Sequence, residues 1–132
     1  YLNVFLPNET ELKFLTGSKT IEEAIVKIEP YIDVCVVKCG RMGSILLQKG
    51  KEAVVLDAFL NNDVVDAIGA GDSFNAGFIH AYVKGATVEE AQINGNLTGA
   101  VNTTAAGGTG AFTSAEDVRK TAAERFSKNL IL

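Results

Sequence analysis

At Gly69-Ala70-Gly71-Asp72 the chain changes its periodicity. Upstream, short apolar runs of strand length alternate with helical segments. Downstream, apolar residues recur at helical spacing. A glycine turn at such a junction commits the chain to opening a helix with a tight bend, because glycine adopts the left-handed conformations that other residues resist. Leu2 to Leu6 reads as a short buried strand stopped by Pro7. Asn8 opens a helix to about Thr16, where Gly17 can end it. Thr20, with Glu23 three residues on, opens a second helix that ends near Pro30.

Val34 to Val37 is a continuous apolar run, typical of a strand covered on both faces. The chain turns at Gly40-Arg41-Met42-Gly43. Ser44 to Gln48 and Ala53 to Leu56 read as strands joined at Lys49-Gly50-Lys51. From Asp72 onward, Phe74, Phe78 and Tyr82 form one helical stripe, while Gly77 and Ala81 keep the helix slim. Gly85 ends it. Thr87 and Glu90 form a capping box that opens a helix rich in small residues, to about Ala106. Gly107-Gly108-Thr109-Gly110 breaks the chain, and Ser114 caps a last helix. Helices alternating with buried strands predict an α/β protein, a layered sheet with flanking helices in one domain.

Composition bounds the function classes. With 47% hydrophobic and 21% charged residues in 132, a soluble globular domain is expected. No apolar run approaches the roughly 18 residues of a membrane span. A net charge of −4 argues against a nucleic-acid backbone as partner. Cys35 and Cys39 are the only cysteines, with no histidine nearby, which points to reduced thiols and a cytoplasmic setting rather than to a zinc site or a disulfide. The chain starts at Tyr1 without an initiator methionine, so it is expected to be a piece of something larger.

A glycine turn opening a helix can hold phosphate. Its backbone N–H groups point outward unpaired, the helix dipole adds partial positive charge, and the missing side chains permit close approach. An aspartate at the helix start can accept the proton of an attacking alcohol. The same four residues also fit a plain tight turn, with Asp72 as a carboxylate favoured by the dipole alone. The pattern is not a Walker P-loop, because no Gly-Lys-Ser/Thr follows.

The run Asp66-Ala67-Ile68-Gly69-Ala70-Gly71-Asp72-Ser73-Phe74-Asn75-Ala76-Gly77-Phe78 resembles the C-terminal signature of the ribokinase-like carbohydrate kinases, the phosphofructokinase-B family. Pro7-Asn8-Glu9-Thr10-Glu11 and Lys38-Cys39-Gly40-Arg41-Met42-Gly43 are similar to further family segments, in the right order. The resemblance implies the C-terminal, nucleotide-binding part of a ribokinase-like fold acting as an ATP-dependent sugar kinase. Asp72 would be the catalytic base, and the amides of Gly69, Ala70 and Gly71 the anion hole.

By the same resemblance, Asn8 and Glu11 would act through water on Mg²⁺ bound with ATP. From the residues alone, the pair is equally a helix capping box. Lys38, Gly40, Gly43 and Asn96 would border the nucleotide, although Lys38 also reads as a sheet-edge charge and Asn96 as a solvent-facing residue. Asp66, Ile68, Thr103, Ala106 and Gly108 would supply oxygens to a monovalent cation such as K⁺. His80, mid-helix, is expected to have no catalytic part.

A vitamin or nucleoside kinase of the same fold, and a non-catalytic nucleotide-binding module, are the competing readings. In the family the sugar is held largely by an N-terminal half and lid, which these 132 residues lack, so the piece alone is expected to be inactive. Its exposed sheet edge offers a route to self-association, a homodimer included.

Overall fold

The computed structural model describes residues 2–132. The architecture is mixed α/β, as the sequence pattern predicts. Its contacts gather in two compact units, one running to Asp57 and the other starting at Ala58.

The first unit is a four-stranded sheet with two helices. Strands β1 (Leu2–Phe5), β2 (Ile32–Lys38), β3 (Ser44–Gln48) and β4 (Val54–Leu56) lie side by side in chain order. β1 and β2 are parallel, with Phe5 opposite Cys35. Parallel neighbours need a crossover, and helices α1 (Glu9–Thr16) and α2 (Ile21–Ile28) provide it. β2, β3 and β4 then form an antiparallel meander.

Helix α1 ends where Gly17 turns left-handed at φ +61. At the start of α2, the Thr20 side chain accepts from the Glu23 amide, while the Glu23 carboxylate reaches past the cap to the Lys19 N–H. Leu12, Ala24, Ile28, Ile32, Cys35, Val37 and Leu47 make the core of this unit. The Val34–Val37 run is buried throughout. Burial pushes the Cys35 thiol up to about 12, which keeps it protonated and unreactive.

The second unit is helical. Helices α3 (Ala70–Val83) and α4 (Val88–Asn102) pack along one another, and α5 (Ala115–Phe126) closes a small core of Leu97, Val101, Val118, Ala122 and Leu130. Small residues set the α3–α4 approach. A methyl on Gly77 would run into the Thr98 side chain, one on Gly95 would sit 3.0 Å from the Phe74 ring, and one on Gly99 would sit 3.1 Å from the Ala70 carbonyl. The stripe read from the sequence is a stack, with ring centroids 6.4 Å apart for Phe74–Phe78 and 5.9 Å for Phe78–Tyr82.

Two helix boundaries differ from expectation. α3 begins at Ala70 rather than Asp72, because Gly69 at φ +78 completes the bend and serves as its N-cap. α4 stops at Asn102, short of Ala106. There the Thr103 and Thr104 hydroxyls donate to the Ala100 and Val101 carbonyls, and their N–H groups bond three residues back, so the last turn tightens and the helix ends. Among the described residues no helix is long and apolar enough to cross a membrane.

Candidate active site

The Gly69–Asp72 turn is held from several sides by hydrogen bonds within the second unit. The Asp66 carboxylate accepts from the Ile68 N–H at 2.9 Å and from the Gly107 N–H at 3.0 Å. These two backbone donors, Ile68 first, hold its carboxyl below the usual aspartate range. The Asn102 side-chain amide donates to the Ile68 carbonyl at 2.8 Å. Gly69 comes so close to the loop that follows α4 that a Cβ on it would lie 3.1 Å from the Gly108 Cα. Both glycines have positive φ, +78 and +73, so neither position admits a side chain without strain.

Which amides stay open follows from these bonds. The Ala70 N–H donates to the Ala67 carbonyl at 3.2 Å, and the Ser73 N–H to the Gly69 carbonyl at 2.8 Å. Among the described residues, the N–H groups of Gly69, Gly71 and Asp72 meet no backbone acceptor. Of the expected set Gly69, Ala70 and Gly71, the N–H groups of Gly69 and Gly71 are open to a ligand here. Ala70 is spent on the turn, and Asp72 offers its own amide instead.

The Asp72 side chain is exposed and lines a cleft of about 670 Å³. Asp72, Ala76 and His80 follow one another along one face of α3, and Phe112 and Ile131 also line the cleft. His80 therefore shares the cleft, but eight residues of helix put it about 12 Å along the axis from Asp72. That is beyond hydrogen-bond reach of an atom bound at the aspartate.

Part of the cation set already accepts hydrogen bonds. The Ile68 carbonyl takes the Asn102 amide, the Thr103 carbonyl takes the Val65 N–H at 2.9 Å, and the Asp66 carboxylate takes two N–H groups. Ala106 and Gly108 sit in the same loop. Three of the five positions thus accept protein donors, one per oxygen, and each of these oxygens keeps a further lone pair.

Asn96 is buried on α4 and is not among the cleft-lining residues, which excludes the solvent-facing reading. Sequence reasoning missed Asn94, Ser73 and Asn102, which are buried and hydrogen-bonded between elements. The available signal was the four amide side chains, Gln92, Asn94, Asn96 and Asn102, along α4.

In the first unit, the remaining candidates cluster at one end of the sheet. β1 and β2 are parallel and finish side by side, where Asn8 bridges Lys38 and the Lys38 N–H donates to the Pro7 carbonyl at 2.9 Å. The carboxyl ends of parallel strands are where open α/β sheets bind ligands. Asn8 and Glu11 form a complete capping box, with Asn8 Oδ1 accepting from the Glu11 N–H at 2.8 Å and Glu11 Oε2 from the Asn8 N–H at 2.7 Å.

Each of these oxygens keeps a further lone pair, and both residues are exposed. That suits contact through water with a hard cation such as Mg²⁺, which retains much of its hydration. Gly40 and Gly43 bound the next turn at φ +57 and +92, and the Cys39 N–H closes it onto the Gly43 carbonyl at 2.8 Å.

Comparison with known proteins is consistent across sequence and fold. An uncharacterized sugar kinase from Archaeoglobus fulgidus is 38% identical over 97 residues, which cover 74% of this chain and 38% of that protein. Arabidopsis thaliana ribokinase is 37% identical over 95 residues, 67% of this chain and 25% of that one. The structure of the Arabidopsis ribokinase with ribose and ATP superposes with a TM-score of 0.81 at 30% identity, covering 91% of this chain and 40% of that chain. A Vibrio cholerae fructokinase, in a form with fructose, ADP and potassium ion bound, gives 0.76 at 28% identity, over 87% of this chain and 39% of that chain. The chain thus spans well under half the length of these relatives. The model of the pfkB family carbohydrate kinases matches residues 1–115, a span that takes in the strand-end residues Asn8 to Gly43 as well as the glycine turn with Asp72, and this chain belongs to that family.

Proposed function

We propose that this chain carries the phosphoryl-transfer end of an ATP-dependent sugar kinase, with Asp72 as its catalytic base. The observation that carries the reading is the start of α3, where open amides and an exposed carboxylate meet at the mouth of a cleft. In this role the Asp72 carboxylate takes the proton of a sugar hydroxyl as its oxygen bonds to the γ-phosphorus of ATP. The bond from that phosphorus to the bridging oxygen breaks, and ADP leaves. Charge on the transferring group is offset by the N–H groups of Gly69, Gly71 and Asp72 and by the α3 dipole.

Mg²⁺ bound with ATP would offset further phosphate charge, and Asn8 and Glu11 are the residues that would hold it through water. Lys38, Gly40, Gly43 and Asn96 are assigned to the nucleotide. A monovalent cation such as K⁺ is assigned to the oxygens of Asp66, Ile68, Thr103, Ala106 and Gly108, which keep lone pairs beyond their protein donors, and no step is routed through it.

The test is made on a full-length protein that contains this chain, screened for phosphorylation of hexoses, pentoses, sugar acids and nucleosides. Asp72→Asn should retain ATP binding by calorimetry and lose about 10²- to 10⁴-fold in turnover. Near-normal turnover in that variant would remove Asp72 from the chemistry. Preference for a nucleoside would move the assignment to the nucleoside-kinase branch.

A further inference from the structure

The glycine turn has little apolar anchoring of its own. The Ile68 side chain is 70% exposed and Asp72 points into solvent at the cleft, so polar contacts fix the turn. One of them is buried and reaches both ends of it. Asn102, the last residue of α4, is 1% exposed. Its Nδ2 donates to the Ile68 carbonyl at 2.8 Å, and its Oδ1 accepts from the Ser73 hydroxyl at 3.0 Å.

The amide orientation is not arbitrary, because a carbonyl can only accept and so must face the Nδ2. Ile68 immediately precedes Gly69, and Ser73 immediately follows Asp72. One buried side chain therefore spans the four residues that present the open amides and the carboxylate.

We infer that Asn102 is a positioning residue for phosphoryl transfer, holding Ile68 and Ser73 at once and so fixing the geometry of the Gly69–Asp72 turn. The inference rests on the kinase reading above. Its physical basis is that displacing a reacting group by about 1 Å can cost on the order of 100-fold in rate, and a turn anchored by hydrogen bonds shifts when one becomes repulsive. Asn102→Asp is nearly isosteric. It keeps the acceptor for Ser73 and sets a second oxygen against the Ile68 carbonyl.

In the full-length protein, Asn102→Asp is expected to lower kcat by about 100-fold, with KM for ATP and sugar held within about 3-fold. Amide hydrogen exchange should quicken at residues 69–72 while residues 88–101 keep their protection. Ser73→Ala removes the second arm alone and should cost about 3- to 10-fold in kcat. The double variant should fall no lower than Asn102→Asp, since both act through one brace.

A kcat for Asn102→Asp within about 3-fold of the parent overturns the inference. Protection lost along the whole of α4, together with an unchanged kcat in Ser73→Ala, also overturns it and leaves Asn102 a packing residue. If Asn102→Asp fails to fold, Ser73→Ala decides alone, and unchanged turnover there refutes the brace. If the parent phosphorylates nothing, the kinase reading falls by itself. The local exchange at 69–72 in Asn102→Asp then still reports whether Asn102 holds the turn.

Discussion

Asp66 shows how a residue can sit in a functional signature and do mechanical work there. Its two oxygens tie the turn before α3 to the loop after α4. The backbone donors depress its carboxyl below the usual 3.8, and the Ser114 and Thr113 hydroxyls do the same for Asp117 at the start of α5. A depressed carboxylate stabilises the fold fully above the unfolded-state value and loses that contribution as pH falls through the folded one. The melting temperature of the parent protein should therefore exceed that of Asp66→Asn at neutral pH. The gap should close below about pH 4, as followed by circular dichroism.

Asp72 and the glycines were legible because their roles are local: a bend, a helix start and a charge at its N-terminus. Asn102 was not, since its partners Ile68 and Ser73 lie 34 and 29 residues away in sequence and only packing brings them together. The Asn8–Glu11 pair could be read two ways from spacing, and the structure shows that the capping box is formed.

Helix starts were the most readable elements, because a cap and its partner lie three residues apart. Asn8, Thr20, Thr87 and Ser114 all cap as their sequence context implies. Thr87→Ala should cost about 1 kcal/mol of stability in denaturant unfolding. Helix ends were less readable. α4 stops where two threonine side chains bond back to its carbonyls, and threonine carries no strong stop signal in sequence.

The α3–α4 contact supplies a sharper test. Gly77→Ala puts a methyl into Thr98 and should destabilise by about 1–3 kcal/mol, read from the urea midpoint. Adding Thr98→Ala removes the hydroxyl that meets this methyl and should restore part of the loss. Strict additivity of the two changes would show that the helices do not meet at this point.

At the scale of the molecule, the alternation of strands and helices announced the α/β class, but the division into two units near Asp57 carries no marker of composition. Residues 57 to 69 form no strand or helix, and Leu60 and Val64 in this stretch are exposed. No lysine or arginine lies between Lys51 and Lys84. Limited digestion with chymotrypsin should therefore cut first at or near Leu60, while trypsin leaves the stretch whole, as mass spectrometry of early fragments would show.

Because the chain spans only 25% to 38% of the sequence relatives described above, the 132 residues assayed alone are expected to turn over no sugar. Measurable turnover by the isolated chain would show that its own clefts suffice.

The meeting of Gly69 with Gly108 also bears on how such a sequence can drift. Backbone lies against backbone there, and both residues hold left-handed dihedrals that other amino acids adopt only rarely. At Gly69 an added Cβ would press on the Gly108 backbone at 3.1 Å, while at Gly108 the obstacle is the left-handed dihedral. A change at the other glycine relieves neither, because glycine has no side chain to give up. In a saturation-mutagenesis library these two positions should therefore stand out as a linked pair of intolerant sites, and no second-site change at one should rescue a substitution at the other.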